Sequence, residues 1–201
     1  MFDSGISVKE LVDELIAEVD VALDIPEATY ITWLNSLQQM LYTEVIKEQK
    51  KIAVETNNGS VIDLSLVGAN GNENKIGFED IHAVYTNDGR QLIKSTVASG
   101  VIFPDSYYKL NNNLGYNTKP LPTELTIVYF VKPALVKEET YANMNVMLPI
   151  EFIELAKAKL RGEAYQLANE FDYAANWLNS YNNLLETFKL WIADKSPKFG
   201  L

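Results

Sequence analysis

The chain has 201 residues, 47% hydrophobic and 22% charged, a length and composition suited to one ordinary domain or one helical body with a smaller insert. It has no cysteine and a single histidine, His82, which removes disulfides, thiol nucleophiles, Cys/His zinc sites and the usual Ser-His pairing. The net charge is −10, and residues 1–27 hold eight acids (Asp3, Glu10, Asp13, Glu14, Glu18, Asp20, Asp24, Glu27) against Lys9 alone, a local net of −7 that repels phosphate.

From the N-terminus, Met1–Gly5 lacks the basic and apolar regions of a signal peptide, and no run approaches the roughly 18 apolar residues of a membrane span. Synthesis and residence in a cytoplasm, with no membrane partner, are the expectation. Ser7-Val8-Lys9-Glu10 forms a capping box, and Leu11, Leu15, Val19 and Leu23 recur at helical spacing, predicting a helix from Val8 to Leu23. Asp24-Ile25-Pro26 breaks it and Pro26 opens a second helix, striped by Tyr30, Leu34, Leu37, Leu41 and Val45 to about Gln49. Trp33, Met40 and Ile46 lie off that stripe and imply burial on more than one side.

From Lys51 the period changes to two. Ile52 and Val54, a turn at Asn57-Asn58-Gly59, then Ile62, Leu64 and Leu66 read as a hairpin, followed by a polar loop over Gly68–Asn74. A second hairpin pairs Phe78–Thr86 with Gln91–Val97 around Asn87-Asp88-Gly89. Val101–Leu110, the Asn111–Asn113 turn and Leu125–Val131 complete about six antiparallel strands before Pro133. Leu148-Pro149 opens a third helix with Phe152, Leu155, Ala156, Leu160 and Ala164 on one face. Asn169–Asp172 breaks it, and Ala175, Leu178, Tyr181, Leu185, Phe188 and Ile192 stripe a fourth. The expected class is α+β: a mainly α-helical bundle of two N-terminal and two C-terminal helices with a small inserted antiparallel β-domain. The expected boundaries are 1–50 and 147–195 for the helical body, 51–133 for the insert, 134–146 for a linker and 196–201 for a tail.

Little here points to chemistry. No Gly-rich phosphate loop occurs, the Asn70–Asn74 run lacks the acids of a calcium loop, and the acid pairs Glu138-Glu139 and Glu151/Glu154 sit in a linker and at a helix start. No catalytic residue, no metal and no cofactor is expected, and the chain is read as a non-enzyme. The aromatics Trp33, Tyr42, Trp177 and Tyr181 are candidates for an interface, since tyrosine and tryptophan combine large contact area with a polar tip.

Two stretches carry a resemblance. Trp33-Leu34-Asn35-Ser36-Leu37-Gln38-Gln39-Met40-Leu41-Tyr42 resembles the second helix of tailed-bacteriophage head-to-tail connector (adaptor, or head-completion) proteins. Tyr129–Pro133, Leu148-Pro149, Gly162-Glu163-Ala164-Tyr165, Ala174-Ala175 and Tyr181 look like the C-terminal half of the same family. The resemblance implies a structural virion protein at the head-tail interface that forms a homo-oligomeric ring, usually twelvefold, beneath the portal, with the portal and tail proteins as partners. DNA would pass through its channel as non-sticking cargo. On that reading the acidic helix with Glu10, Asp13, Glu14, Glu18 and Asp20 would face the channel. The tail Ser196, Pro197, Lys198, Phe199, Gly200 and Leu201, which cannot extend the helix before it, would dock on the portal. Two alternatives stand beside it: another tail-completion or baseplate protein, and a carbohydrate-binding module using Tyr107, Tyr108 and Tyr116 as a stacking platform.

Overall fold

A computed structural model describes residues 2–57, 59–65, 67, 76–95, 102–111 and 113–195. The expected loop at Gly68–Asn74, the positions Asn58, Leu66, Val97, Val101 and Asn112, and the tail Ser196–Leu201 lie outside the described residues. The chain divides into two compact units, Met1–Ile46 with Leu135–Leu201, and Lys47–Ala134.

The first unit holds four helices: α1 (Val8–Glu18), α2 (Glu27–Met40), α3 (Ile153–Leu167) and α4 (Phe171–Lys195). Ser7 caps α1 by accepting from the Glu10 N–H at 3.0 Å. Its helix stops at Glu18, short of the expected Leu23, and Val19 is already extended. Glu18, Asp20 and Asp24 would crowd acids at the negative end of a longer helix, which has no basic residue in its last turn to offset them. Leu23 is consequently exposed.

Helix α2 also ends early. A π-helical turn over Leu41–Ile46 follows, Lys47 takes a left-handed φ of 49°, and β1 begins at Gln49 where a helix is expected. The widened turn places Leu41 and Tyr42 both inside. Helix α3 is entered through Pro149 and a 3-10 turn, Ile150–Phe152. Asn169, at φ 63°, makes the break before α4. Val8, Leu11, Leu15, Leu34, Leu41, Leu155, Ala156, Leu160, Ala164 and Phe188 form the fully buried centre of this unit.

The second unit is a seven-stranded sheet: β1 (Gln49–Glu55), β2 (Val61–Asp63), β3 (Ile81–Thr86), β4 (Gln91–Ser95), β5 (Ser106–Leu110), β6 (Asn113–Asn117) and β7 (Glu124–Phe130). Their order is β1-β7-β3-β4-β5-β6-β2, and β4 pairs β5 in parallel. This overturns the expected fold class. The chain is 45% helical and carries a mixed sheet curled into a half-barrel, not a helical bundle with a small antiparallel insert.

Two local errors account for the difference. The first expected hairpin does not form: β1 pairs β7, β2 pairs β6, and the two stand at opposite edges of the sheet. Thr56, Asn57, Gly59 and Ser60 lie instead at a corner. The Thr56 N–H donates to Thr123 O at 3.0 Å, Asn57 is left-handed at φ 47°, and the Tyr116 N–H donates to Ser60 O at 2.9 Å. Ile52, Val54, Ile62 and Leu64 keep one alternation through the corner and line the same interior. The second error is β6, which low strand propensity at Asn113, Gly115 and Asn117 concealed. Gly115 is required there, because a Cβ would lie 2.4 Å from the ring of Tyr108 directly across the strand pair.

The β3–β4 hairpin around Asn87-Asp88-Gly89 forms as expected. His82 is the extra residue of a bulge between Ile81 and Ala83, its ring 5.1 Å from that of Phe130.

Candidate functional site

Helix α1 exposes most of its acids, but two of them are engaged within their own unit. Lys157 of α3 pairs with Glu14 and, at 3.3 Å, with Glu154. One turn on, Arg161 pairs with Glu18 and lies 4.5 Å above the ring of Trp177 on α4. Both basic side chains are only 12% exposed, so the carboxylates neutralise charges that burial would otherwise leave unfavourable. At Lys157 burial works to lower the pKa, but hydrogen bonds from Glu14 and Glu154 outweigh it and hold the ammonium above its ordinary 10.5.

Glu14 and Glu18 thus pair with bases of α3 while staying 38% and 45% exposed. Asp13 is shared with Lys9, at 2.8 Å on the exposed side. Glu10 and Asp20 are exposed without an ion pair among the described residues.

The aromatic candidates separate in the same way. Tyr42 is fully buried and accepts from the Phe2 N–H at 3.0 Å, which closes it to any partner. Tyr181 is buried under Lys159, 5.4 Å from its ring, and burial raises its pKa. Trp33 is half-buried and meets Tyr30 edge-on, and Trp177 is half-buried beneath Arg161. Tyr107, Tyr108 and Tyr116 are buried in the half-barrel, so they offer no stacking platform to a sugar.

Sequence reasoning overlooked a second surface. Helix α4 runs 25 residues, about 37 Å at ~1.5 Å per residue, and its outward side carries Phe171 (62% exposed), Tyr173 (60%) and Leu190 (73%). Asn176, Asn179 and Asn183 stand at helical spacing on an exposed ridge flanked by Phe171 and Tyr173, the latter stacked on Tyr165 at 5.4 Å. The signal was present in the sequence as polar residues alternating with the apolar stripe.

The stretch that carries the family resemblance has a local task. Asn35 bonds both polar groups of Val136, donating to its carbonyl at 2.8 Å and accepting from its N–H at 2.9 Å. Gln38 Oε1 accepts from the Met147 N–H at 2.6 Å. Together they clamp the segment between the sheet and α3 onto α2.

In the second unit the ionisable residues fasten turns. Arg90 reaches Asp88 at 2.8 Å and Asp105 at 3.0 Å, and Thr118 donates to Asp105 at 2.6 Å. Lys109 bonds Glu79 and, with Lys94 nearby, holds that carboxyl below its usual range. A shallow hollow beside the β1–β7 pair is lined by Glu55, Asn57, Thr123 and Glu124. Among the described residues no group of three or more His, Asp or Glu could hold a metal ion, and no helix is long and apolar enough to cross a membrane. No protein-family model matches the chain, and no curated protein matches its sequence.

Proposed function

We propose that the chain is a structural subunit of a ring that joins the portal of a tailed-phage head to the tail, acting through contact surfaces rather than catalysis. The observation that carries this reading is α4, a long helix along which Phe171, Tyr173 and Leu190 stay exposed, Tyr173 stacking on Tyr165. Exposed aromatic and aliphatic side chains of that size on one element mark a protein contact. The basic residues Lys157, Arg161 and Arg90, by contrast, are engaged in holding α1 to α3 and in fastening a turn of the sheet.

On this reading the portal and tail proteins are partners, and Ser196–Leu201 docks on the portal. DNA passes the ring without adhering, repelled by the acids that remain outward on α1 and just after it, Glu10, Asp13 and Asp20. Negative-stain images of the full chain, alone and mixed with the portal of its own phage, test the proposal. Rings seated on the portal are expected; a monomer that leaves the portal bare refutes it.

A further inference from the structure

We infer that neighbouring copies of this chain meet head-to-tail, the asparagine ridge of α4 on one copy packing against the hydroxyl ridge of α2 on the next. This rests on the ring reading and names its interface. Two helical stretches of the first unit are devoid of charge: Ala28–Thr43, in α2 and the turn after it, and Tyr173–Leu185 in α4. The other two helices are not. Helix α1 carries Lys9, Glu10, Asp13, Glu14 and Glu18, and α3 carries Glu154, Lys157, Lys159, Arg161 and Glu163.

In a chain of net charge −10, two copies repel as their surfaces approach. The contact with least Coulombic cost joins faces where neither carries charge, and the two neutral ridges are the only helical faces of that kind among the described residues. Within one copy α3 packs against both α2 and α4, and α4 also meets the turn after α2, so the two ridges are separate surfaces of one unit. A closed ring needs two different surfaces of this sort on every subunit, because a head-to-tail contact is not self-complementary.

The hydrogen-bonding chemistry of the two ridges is complementary. Thr32 donates its hydroxyl hydrogen to Ala28 O at 2.8 Å, and Ser36 donates to Thr32 O at 3.0 Å. Their oxygens keep free lone pairs on the outer side. Asn176, Asn179 and Asn183 have no side-chain partner among the described residues and bring amide N–H donors. Asparagine is a weak helix former, so three on one exposed ridge work against the helix that displays them. Leu190, beyond the Glu186–Lys189 ion pair at the end of the neutral stretch, adds apolar area on the same side of the helix.

The test is a charge swap in the full chain, with assembly followed by light scattering behind size exclusion and folding by circular dichroism. Asn179→Lys alone and Ser36→Lys alone should each raise the concentration for half-assembly by about tenfold or more, since an unpaired charge enters the contact. The double variant Asn179→Lys with Ser36→Glu should recover most of the loss, whereas Asn179→Lys with Ser36→Lys should be the worst of the set. Wild-type rings with both doubles behaving alike would overturn the assigned contact and leave the ring reading standing. A wild-type chain that stays monomeric at every concentration, with and without portal, would overturn both.

Discussion

Gly162 marks the closest approach of α3 to α4, and substituting it by alanine pits two effects of similar size against each other. Alanine in a helix interior is favoured over glycine by about 1 kcal/mol. The added Cβ, however, would lie 2.7 Å from Leu178 Cδ2, 2.8 Å from Leu178 Cγ and 3.5 Å from the Leu178 backbone nitrogen. A methyl group could swing aside, but Cγ lies one bond from Cβ and the backbone stands behind it, so the helices must separate. Overpacking of this kind costs about 1–3 kcal/mol. Gly162→Ala is therefore expected to destabilise the first unit by about 1 kcal/mol net, despite the gain in helix propensity. Trp33, Trp177 and Trp191, the only tryptophans, all belong to that unit. Urea unfolding followed by their fluorescence reads it selectively. The same substitution in a Leu178→Ala background should change sign and stabilise by about 1 kcal/mol, a coupling near 2 kcal/mol. If Gly162→Ala stabilises the wild-type background as well, the contact does not limit the packing and the reasoning fails.

Asn35→Ala should cost about 2–3 kcal/mol in the same assay, because both polar groups of Val136 lose their partner; a loss below about 0.5 kcal/mol would mean that water replaces the side chain without penalty. Lys157 has a pKa above 10.5 in the folded chain, so its contribution is complete below the unfolded value and is lost as pH rises through the folded one. Wild type should thus weaken relative to Lys157→Arg only as pH rises beyond the ordinary lysine pKa of about 10.4, and parallel curves would discount the ion pair. Deleting Ser196–Leu201 should leave circular dichroism and thermal stability nearly unchanged while abolishing co-sedimentation with portal; unimpaired co-sedimentation would remove the docking role of that segment.

How much of this was legible in the sequence differs between the two units. Helical periodicity placed Leu11, Leu15, Leu34, Leu155, Leu160 and Phe188 in the core, where they are buried, because a local repeat of 3.6 residues needs no knowledge of the partner. The sheet resisted for the opposite reason. Alternation identified Ile52, Val54, Ile62 and Leu64 as strand residues, yet a strand's partner is set by distant chain. Lys51 faces Val128 and Ile62 faces Leu114, and a turn signal at residues 57–59 suits a corner as well as a hairpin. The parallel pairing of β4 with β5 depends on the route of residues 96–105, for which no short motif exists. Tyr42, a candidate for its aromatic area and polar tip, is drawn inside where the helix widens to a π turn, a feature no regular α periodicity reveals.

The acidic helix shows what charge counting omits. The net of −7 before residue 28 is a property of composition, but its outward effect depends on where the compensating bases fold. Lys157 and Arg161 stand 143 positions away from Glu14 and Glu18, beyond any local pattern, and they cancel two of those charges. An outward excess near −5 remains, carried by side chains such as Glu10 and Asp20 that have no basic neighbour to answer them. At physiological salt, fields of this size decay over about 8 Å. The residual charge therefore governs only close approach, discouraging adhesion of a phosphate backbone while leaving the neutral ridges of α2 and α4 open to contact. Repulsion and attachment then fall to different helices of one unit, the division that the proposed ring around DNA requires.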